Sequence, residues 1–198
     1  MEDTGDIKKF ISEMQMLKRV KHEGVRLAGV QFPDSVAEHS LLAAQIAFVL
    51  AYFEGADSYK CAAIMIFHDS LETRLGDLHK VSSRYLDTKN IETKIEQEQF
   101  ANLPENLSEK IKLFLGEKRS RETKEGIVCQ DADLLEVAIQ AKYYHEGGCS
   151  GCWEWIENVE KALKTQTARK ILETIKNEEN FTSCWWRGLM KVESRDES

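Results

Sequence analysis

The stretch of sequence that decides the fold is KCAAIMIFHDSLETRLGD, residues 60–77. An apolar run ends abruptly at His68 and Asp69, and Glu72 and Asp77 follow shortly afterwards. As a helix, the run is apolar on nearly all sides, which is typical of a helix buried at the centre of a small domain. Burying such polar groups without partners would cost roughly 2–7 kcal/mol each, and more for a charge. The segment therefore predicts a divalent metal site at the end of a buried helix.

The bulk composition limits the classes of protein to consider. A length of 198 residues suits one domain with a substantial core. A net charge of −7 argues against a general nucleic-acid or anionic-membrane surface. No segment reaches the roughly 18 apolar residues of a membrane helix, and the N-terminus lacks a signal-peptide pattern. Five cysteines do not form a secreted disulfide framework. We expect a cytoplasmic protein with neither nucleic acid nor membrane as its partner.

The sequence predicts an all-α fold. Only two prolines interrupt long segments with apolar residues at helical spacing. Asp34 or Ser35 can cap a helix that runs to about Phe53, and Glu38, three residues after Ser35, gives a capping box. We expect one helical bundle with a C-terminal helical extension packed on it. Its predicted parts are an N-terminal helix over 1–15, a core over 16–145 and the extension over 146–198.

Further expectations concern the helix ends and connections. The buried third helix is predicted to extend from Ser58 to Thr73, and one long amphipathic helix from Trp153 to about Ile175. The charged run over 118–125 predicts a solvated connection. Cys149 and Cys152 form a CxxC pair, but a structural zinc site needs four ligands and a redox pair usually follows a strand. We interpret this pair as part of a glycine-rich loop.

Four side chains from three predicted helices are candidate metal ligands: His39, His68, Asp69 and Asp133. Helix packing could bring them together, because each helix has an apolar face. This mixture of imidazole and carboxylate suits Mn, Fe, Co, Ni or Zn. Glu72 lies four residues after His68, on the same helix face. That placement suits a general base or a group that orients water.

Five sequence segments carry a resemblance to a known family. They are LKRV over 17–20, SVAEHS over 35–40, HDSLETRLGDL over 68–78, NLPENL over 102–107 and QDADLLE over 130–136. With these segments the chain resembles the HD-domain metal-dependent phosphohydrolases, and among them the 5′-deoxynucleotidase (YfbR-like) group. The closing pair Trp185 and Trp186 is similar to the tail of archaeal relatives.

The resemblance implies roles for particular residues. It implies that the four candidate ligands hold one divalent transition metal, and that Glu72 and Asp77 are catalytic around the attacking water and the phosphate. It places an arginine before the first metal histidine to hold phosphate, where Arg19 and Arg26 both qualify and Arg19 is favoured. Asp131 is expected to be structural or to support a ligand from outside the metal site. Other basic residues near the site are open alternatives for phosphate binding: Arg74, His79, Lys80 and Arg84. His22 is expected to be an ordinary surface or loop residue.

The resemblance also implies an activity. We expect a homodimeric phosphohydrolase that removes the 5′-phosphate from (deoxy)ribonucleoside monophosphates through a metal-activated water. Deoxy-selective members carry a tryptophan near the position of Val25, so the sequence leaves the choice of sugar open. One alternative is an HD-domain nucleotide pyrophosphohydrolase or phosphodiesterase. Another is a nucleotide-sensing HD module that binds without turnover.

Overall fold

All regular secondary-structure elements in the described part of the chain are helices. The structure, a computed structural model, describes residues 4–101 and 103–189. The α-helices in these ranges are α1 (Thr4–Met14), α2 (Val36–Glu54), α3 (Ser58–Phe67), α4 (Glu72–Leu75), α5 (Lys80–Ser83), α6 (Thr88–Gln99), α7 (Glu105–Ser120), α8 (Lys124–Glu146), α9 (Trp153–Ala162) and α10 (Gln166–Asn177). Short 3-10 segments cover Gln15–Lys18, Glu23–Ala28, Ser150–Cys152 and Phe181–Ser183. The all-α prediction is confirmed. Parts of the predicted N-terminal helix and C-terminal extension, over 1–3 and 190–198, lie outside the described residues.

The core lies where α2, α3 and α8 pack together. Several small side chains of α2 and α8 are buried in this core, and small side chains let helix backbones approach closely; these are Ala43, Ala47, Ala51, Ala132, Ala138 and Ala141. Larger buried side chains from each of the three helices complete this core, and they are Leu50, Ile64 and Leu135. The predicted capping box begins α2, because Ser35 Oγ accepts the Glu38 N–H and Glu38 accepts the Ser35 N–H. The start of this central helix is therefore fixed locally.

One side of α2 stays apolar at the surface. We call it the α2 apolar face, and it consists of Leu41, Phe48, Val49, Tyr52 and Phe53. Among the described helices, α2 alone has the length and hydropathy of a membrane span, and 44% of that window is buried within the fold. Its buried side packs on α3 and α8, as expected for a core helix.

The prediction for the third helix was wrong about where the helix ends and about how completely it is buried. It ends at Phe67 rather than Thr73, because Ser70 Oγ donates to the Phe67 carbonyl oxygen at 2.6 Å. Such a local side-chain bond competes with the helical hydrogen bonds. Ile66 is 55% exposed, because α2, α7 and α8 cover only part of the helix surface. His68 and Asp69 consequently lie in a turn between α3 and α4.

The predicted long C-terminal helix is two helices, α9 and α10. Between them, the buried Asp131 carboxylate of α8 accepts the backbone N–H groups of Lys164 and Thr165. A buried carboxylate needs such donors, and a helix interior would not offer them. Thr165 then caps α10 by accepting the Ala168 N–H. The break thus depends on Asp131, which has the structural role expected for it.

The charged run over 118–125 was wrongly predicted to be a solvated connection. Its first residues, Lys118 to Ser120, form the last turn of α7, where basic groups interact favourably with the helix dipole. Only residues 121–123 connect α7 to α8. Gly126 makes this close junction feasible, since a Cβ there would lie 2.6 Å from the Glu117 carbonyl oxygen.

Candidate metal centre and active site

The structure brings the four predicted metal ligands together. His39 Nε2 lies 3.3 Å from His68 Nε2, 3.5 Å from Asp69 Oδ2 and 3.3 Å from Asp133 Oδ1. His68 Nε2 lies 3.0 Å from Asp69 Oδ2 and 3.8 Å from Asp133 Oδ1. Ligands bound to one ion at about 2.0–2.2 Å are roughly 3–3.5 Å apart. The two Nε2 atoms and the Asp69 carboxylate therefore suit a single transition metal ion, and Asp133 Oδ1 lies 3.3–3.8 Å from both histidines as a fourth candidate ligand.

Hydrogen bonds hold both histidines in the orientation that metal binding requires. His39 Nδ1 lies 2.5 Å from Glu136 Oε2, and His68 Nδ1 lies 2.7 Å from the Met65 carbonyl oxygen. An acceptor at Nδ1 places the proton there and leaves the Nε2 lone pair for a metal. Both Nε2 atoms belong to the candidate ligand group.

The electrostatics of the cluster also fit a cation. Burial acts to lower the pKa of His39, but the carboxylates of Asp133 and Glu136 raise it well above its ordinary value. Burial acts to raise the pKa of Asp133, but Lys118, His39 and His68 hold it well below its ordinary value. The carboxylates thus favour positive charge at their centre, which a divalent ion would provide.

Glu72 lies beside this cluster with one carboxylate oxygen unsatisfied. Its Oε2 is buried and has no hydrogen-bond partner in the described part of the chain. Burial, and then the negative charges of Asp69 and Asp77, raise the pKa of Glu72 to about 10. A metal among these carboxylates would offset that repulsion, and a water would satisfy the free oxygen. The residues present therefore fit a metal with an adjoining water.

Asp77 approaches the same region from the turn after α4. Gly76, with φ +75° and ψ 164°, has a backbone conformation that favours glycine at the end of α4. Asp77 Oδ2 then accepts the Glu23 N–H at 2.5 Å. Asp77 is close enough to Glu72 to influence its pKa. Two loops distant in sequence thus fix the position of this carboxylate.

The predicted phosphate-binding candidates lie in different surroundings. Arg19 is exposed and lines a cavity of about 540 Å³ beside α1, separate from the one beside the metal ligands. Arg26 pairs with Glu23 at 2.9 Å. Arg74 binds Glu13, which ties α4 to α1. His79 accepts the Ser82 N–H and caps α5.

A cavity of about 280 Å³ opens beside the metal ligands. One wall contains His68, Asp69 and Glu72. Other lining residues come from the end of α7 and the start of α8, and they are Leu115, Lys118, Arg119, Arg121 and Gln130. Lys118 is 14% exposed, and its Nζ donates to Asp133 Oδ2 at 2.5 Å and to Gln130 Oε1 at 3.1 Å. The cavity thus connects the candidate metal centre to a basic helix end.

Sequence reasoning missed three residues at this site. Glu136 lies three residues after Asp133 on the same helix, and that spacing within QDADLLE was the available signal. Lys118 carried no signal, because its partner Asp133 is on another helix. His22 was expected to be an ordinary loop residue, but its ring centroid lies 4.5 Å from that of His39.

The CxxC pair lies away from the candidate metal groups. The Sγ atoms of Cys149 and Cys152 are 3.0 Å apart, and both are free thiols. Cys149 Sγ donates to the Ala28 carbonyl oxygen at 3.3 Å. Among the described residues, the side chains grouped for metal binding are histidines and carboxylates only.

Comparison with known proteins identifies the family. The sequence model of the protein family described as HD domain matches residues 14–176, which is most of the chain. The chain belongs to the HD-domain family. The predicted class, the HD-domain metal-dependent phosphohydrolases, is thereby confirmed.

Three proteins with similar sequence or structure share between 19% and 29% of their residues with this chain. The chain is 25% identical to the human 5′-deoxynucleotidase HDDC2 over 138 residues, which cover 69% of this chain and 67% of that protein. A conserved hypothetical protein from Pyrococcus furiosus is 29% identical with a TM-score of 0.71, covering 86% of this chain and 99% of its own. A predicted metal-dependent phosphohydrolase from Magnetospirillum magnetotacticum has a TM-score of 0.70 over 88% of this chain and 91% of its own. At 19% identity, the last comparison shows a common fold.

Proposed function

We propose that this protein is a metal-dependent 5′-nucleotidase that removes the phosphate from (deoxy)ribonucleoside monophosphates. The observation that carries the proposal is the unsatisfied Glu72 oxygen beside the metal-binding group of His39, His68 and Asp69, which Asp133 Oδ1 approaches to 3.3 Å from His39 Nε2. The metal would be held by His39, His68, Asp69 and Asp133. Mn, Co, Ni, Fe and Zn are all compatible with this ligand set.

The chain's own residues supply the remaining chemistry. A bound divalent ion would act as a Lewis acid toward water and the phosphoryl oxygens. Glu72 would orient or deprotonate the attacking water through its free oxygen. Asp77, held by the Glu23 N–H, would order the water network or protonate the departing 5′ oxygen. We also propose Arg19 for a phosphate contact, although its side chain lines the separate cavity beside α1.

The substrate class rests on the relatives and on the size of the site. The human relative bears the name 5′-deoxynucleotidase, and the cavity is close to the lower end of the roughly 300–1,000 Å³ range for small-molecule pockets. Val25 is 4% exposed, so it packs inside the protein and leaves little side chain to select a sugar. We therefore expect both deoxyribose and ribose monophosphates to be hydrolysed.

The assembly and location are also proposals. We propose a cytoplasmic homodimer in which the α2 apolar face is covered by a second copy, with no nucleic acid or membrane as partner. The five described cysteines are free thiols, as expected for a reducing compartment. The alternatives, pyrophosphohydrolase, phosphodiesterase or nucleotide sensor, are distinguished by the products of the following assay.

The test is phosphate release from a panel of 5′-dNMPs, 5′-NMPs, nucleoside di- and triphosphates, and diesters. Chelator-treated protein would receive Mn, Co, Ni, Fe or Zn singly. We expect metal-dependent release of phosphate from monophosphates.

Glu72→Gln should lower kcat by about 10²–10⁴-fold without loss of bound metal. Glu98→Gln, an exposed carboxylate away from the cavity, is the control. Metal-loaded protein that releases phosphate from no monophosphate would contradict the proposal.

A further inference from the structure

The cavity beside the metal ligands has a basic side that the proposed chemistry does not use. Lys118, Arg119 and Arg121 line it from the C-terminal end of α7, and Gln130 of α8 completes that side. Arg119 is engaged by α6, because it lies 2.6 Å from Glu96 and 4.0 Å from Glu92. Lys118 and Arg121 remain as groups that could meet an anion in the cavity.

Lys118 is held next to the metal ligands. Its ammonium has three N–H donors, and the described contacts account for two of them, to Asp133 and Gln130. Asp133 offers its other oxygen, Oδ1, to the candidate metal centre. An anion bound to the metal would therefore lie within reach of the third Lys118 donor.

Arg121 has an unusual backbone conformation. Its φ of +55° is the only positive value at a non-glycine residue within the described ranges. Glycine is the usual residue where a helix ends in this left-handed conformation, since a Cβ is strained there. The junction around it is tightly held, because the Arg121 N–H donates to Glu117 O and Gly126 packs against this turn.

The position of Arg121 suggests a use for its side chain. Its guanidinium takes part in no ion pair with a described residue. Basic residues at a helix C-terminus also offset the helix dipole. That effect accounts for Lys118 and Arg119, but it does not require arginine in place of glycine at the strained position. Residues kept in strained conformations are concentrated at functional sites.

We propose that Lys118 and Arg121 bind the phosphate of the substrate on the α7 side of the cavity, and so favour a phosphate monoester over a diester. The choice of substrate rests on the proposed function, whereas the binding of a phosphate anion does not. A monoester carries close to two negative charges at neutral pH and a diester only one. Two cations beside a metal therefore attract the monoester more strongly.

The experiment measures the binding of inorganic phosphate to the Mn-loaded protein by titration calorimetry. The variants are Arg121→Gln, Arg121→Gly and Lys118→Gln, and bound metal is measured for each. The control is Arg187→Gln, on the terminal segment that packs at the far end of α8. We expect the phosphate Kd to rise by about tenfold or more at Arg121, as for loss of a charge-assisted hydrogen bond, with metal content unchanged.

Arg121→Gly separates a binding role from a structural one. Glycine relieves the left-handed strain, so its midpoint of thermal unfolding should equal or exceed that of the wild type, while phosphate binding weakens. Unchanged phosphate affinity in Arg121→Gly, or no phosphate binding by the wild-type protein, would overturn the inference. In turnover assays, Arg121→Gln should lower kcat/KM for a monoester more than for a diester. A wild type that binds phosphate but hydrolyses no monophosphate would defeat only the proposed function.

Discussion

At the scale of single residues, the site depends on groups that lie behind the metal ligands. Glu136 is 1% exposed and contacts His39 Nδ1, so it fixes the tautomer and the ring orientation of the first ligand. The Met65 carbonyl oxygen does the same for His68. Partners of this kind raise metal affinity by holding the imidazole ready for coordination. Glu136 is therefore a positioning residue.

We expect Glu136→Gln to weaken metal binding by about 10–100-fold, because a neutral amide orients and polarises His39 less strongly than a carboxylate. The measurement is the metal Kd by competition with a chromophoric chelator. Thermal unfolding of the metal-free protein would establish that the variant folds.

Glu160→Gln is the matched control for Glu136, since Glu160 pairs with Lys176 at the surface and is 52% exposed. Its metal Kd should equal that of the wild type. If Glu136→Gln kept wild-type metal affinity, Glu136 would be a packing residue and His39 would be oriented by other contacts.

At the scale of secondary-structure elements, the junction of α7 and α8 sets the relative positions of several side chains at the site. It carries Lys118 and Arg121 on one side and leads into Asp133 on the other. Thr123 caps α8 by accepting the Gly126 N–H, and its Oγ1 donates to Glu117 at 2.6 Å. The spacing of the two helices therefore depends on residues that do not touch the metal centre.

We expect Gly126→Ala to lower the free energy of unfolding by about 1–3 kcal/mol, because the new Cβ would lie 2.6 Å from Glu117 O and force the helices apart. Urea unfolding followed by circular dichroism would measure it. Movement of Lys118 should also weaken phosphate binding.

Gly116→Ala provides the comparison within the same helix. A Cβ at Gly116 would have no heavy atom within 4 Å outside its own helical surroundings. Alanine should therefore stabilise α7 by up to about 1 kcal/mol through helix propensity. Equal effects of the two substitutions would mean that close packing at Gly126 does not limit the junction.

At the scale of the whole molecule, one surface remains to be covered. The α2 apolar face is continuous with α3, because Phe48 and Tyr59 make an edge-to-face contact with ring centroids 5.4 Å apart. Tyr52 is 76% exposed and Phe53 is 65% exposed. Contiguous exposed apolar surface of this kind marks an interaction site. It supports our proposal of a homodimer.

We expect Tyr52→Glu and Phe53→Glu to convert a dimer into a monomer, because each places a charge in the apolar interface. Sedimentation velocity at micromolar concentrations would measure the change. Leu113→Glu is the control, since Leu113 is 71% exposed on a different helix, α7. A monomeric wild type, or dimers of all three variants, would contradict the assignment of this face.

The sequence by itself determined the helical class, the start of α2 and the identity of the four candidate metal ligands. These depend on local information: apolar periodicity, a capping box, and chemical groups at fixed spacings in a recognisable order. It also predicted that Asp131 is either structural or a support for a metal ligand, and the hydrogen bonds to Lys164 and Thr165 show the structural role. It did not predict the end of α3 or the break before α10, because each depends on a particular hydrogen bond that competes with the helix.

Only the tertiary structure decided what surrounds the ligands. Lys118 belongs to a charged run that is typical of a solvated loop, and its ion pair with Asp133 exists because α7 packs on α8. Likewise, Glu136 meets His39 only when α2 and α8 are in contact. Pairing between residues far apart in sequence leaves little trace in local patterns. The chain therefore determined which chemical groups are present, and helix packing determined which of them meet.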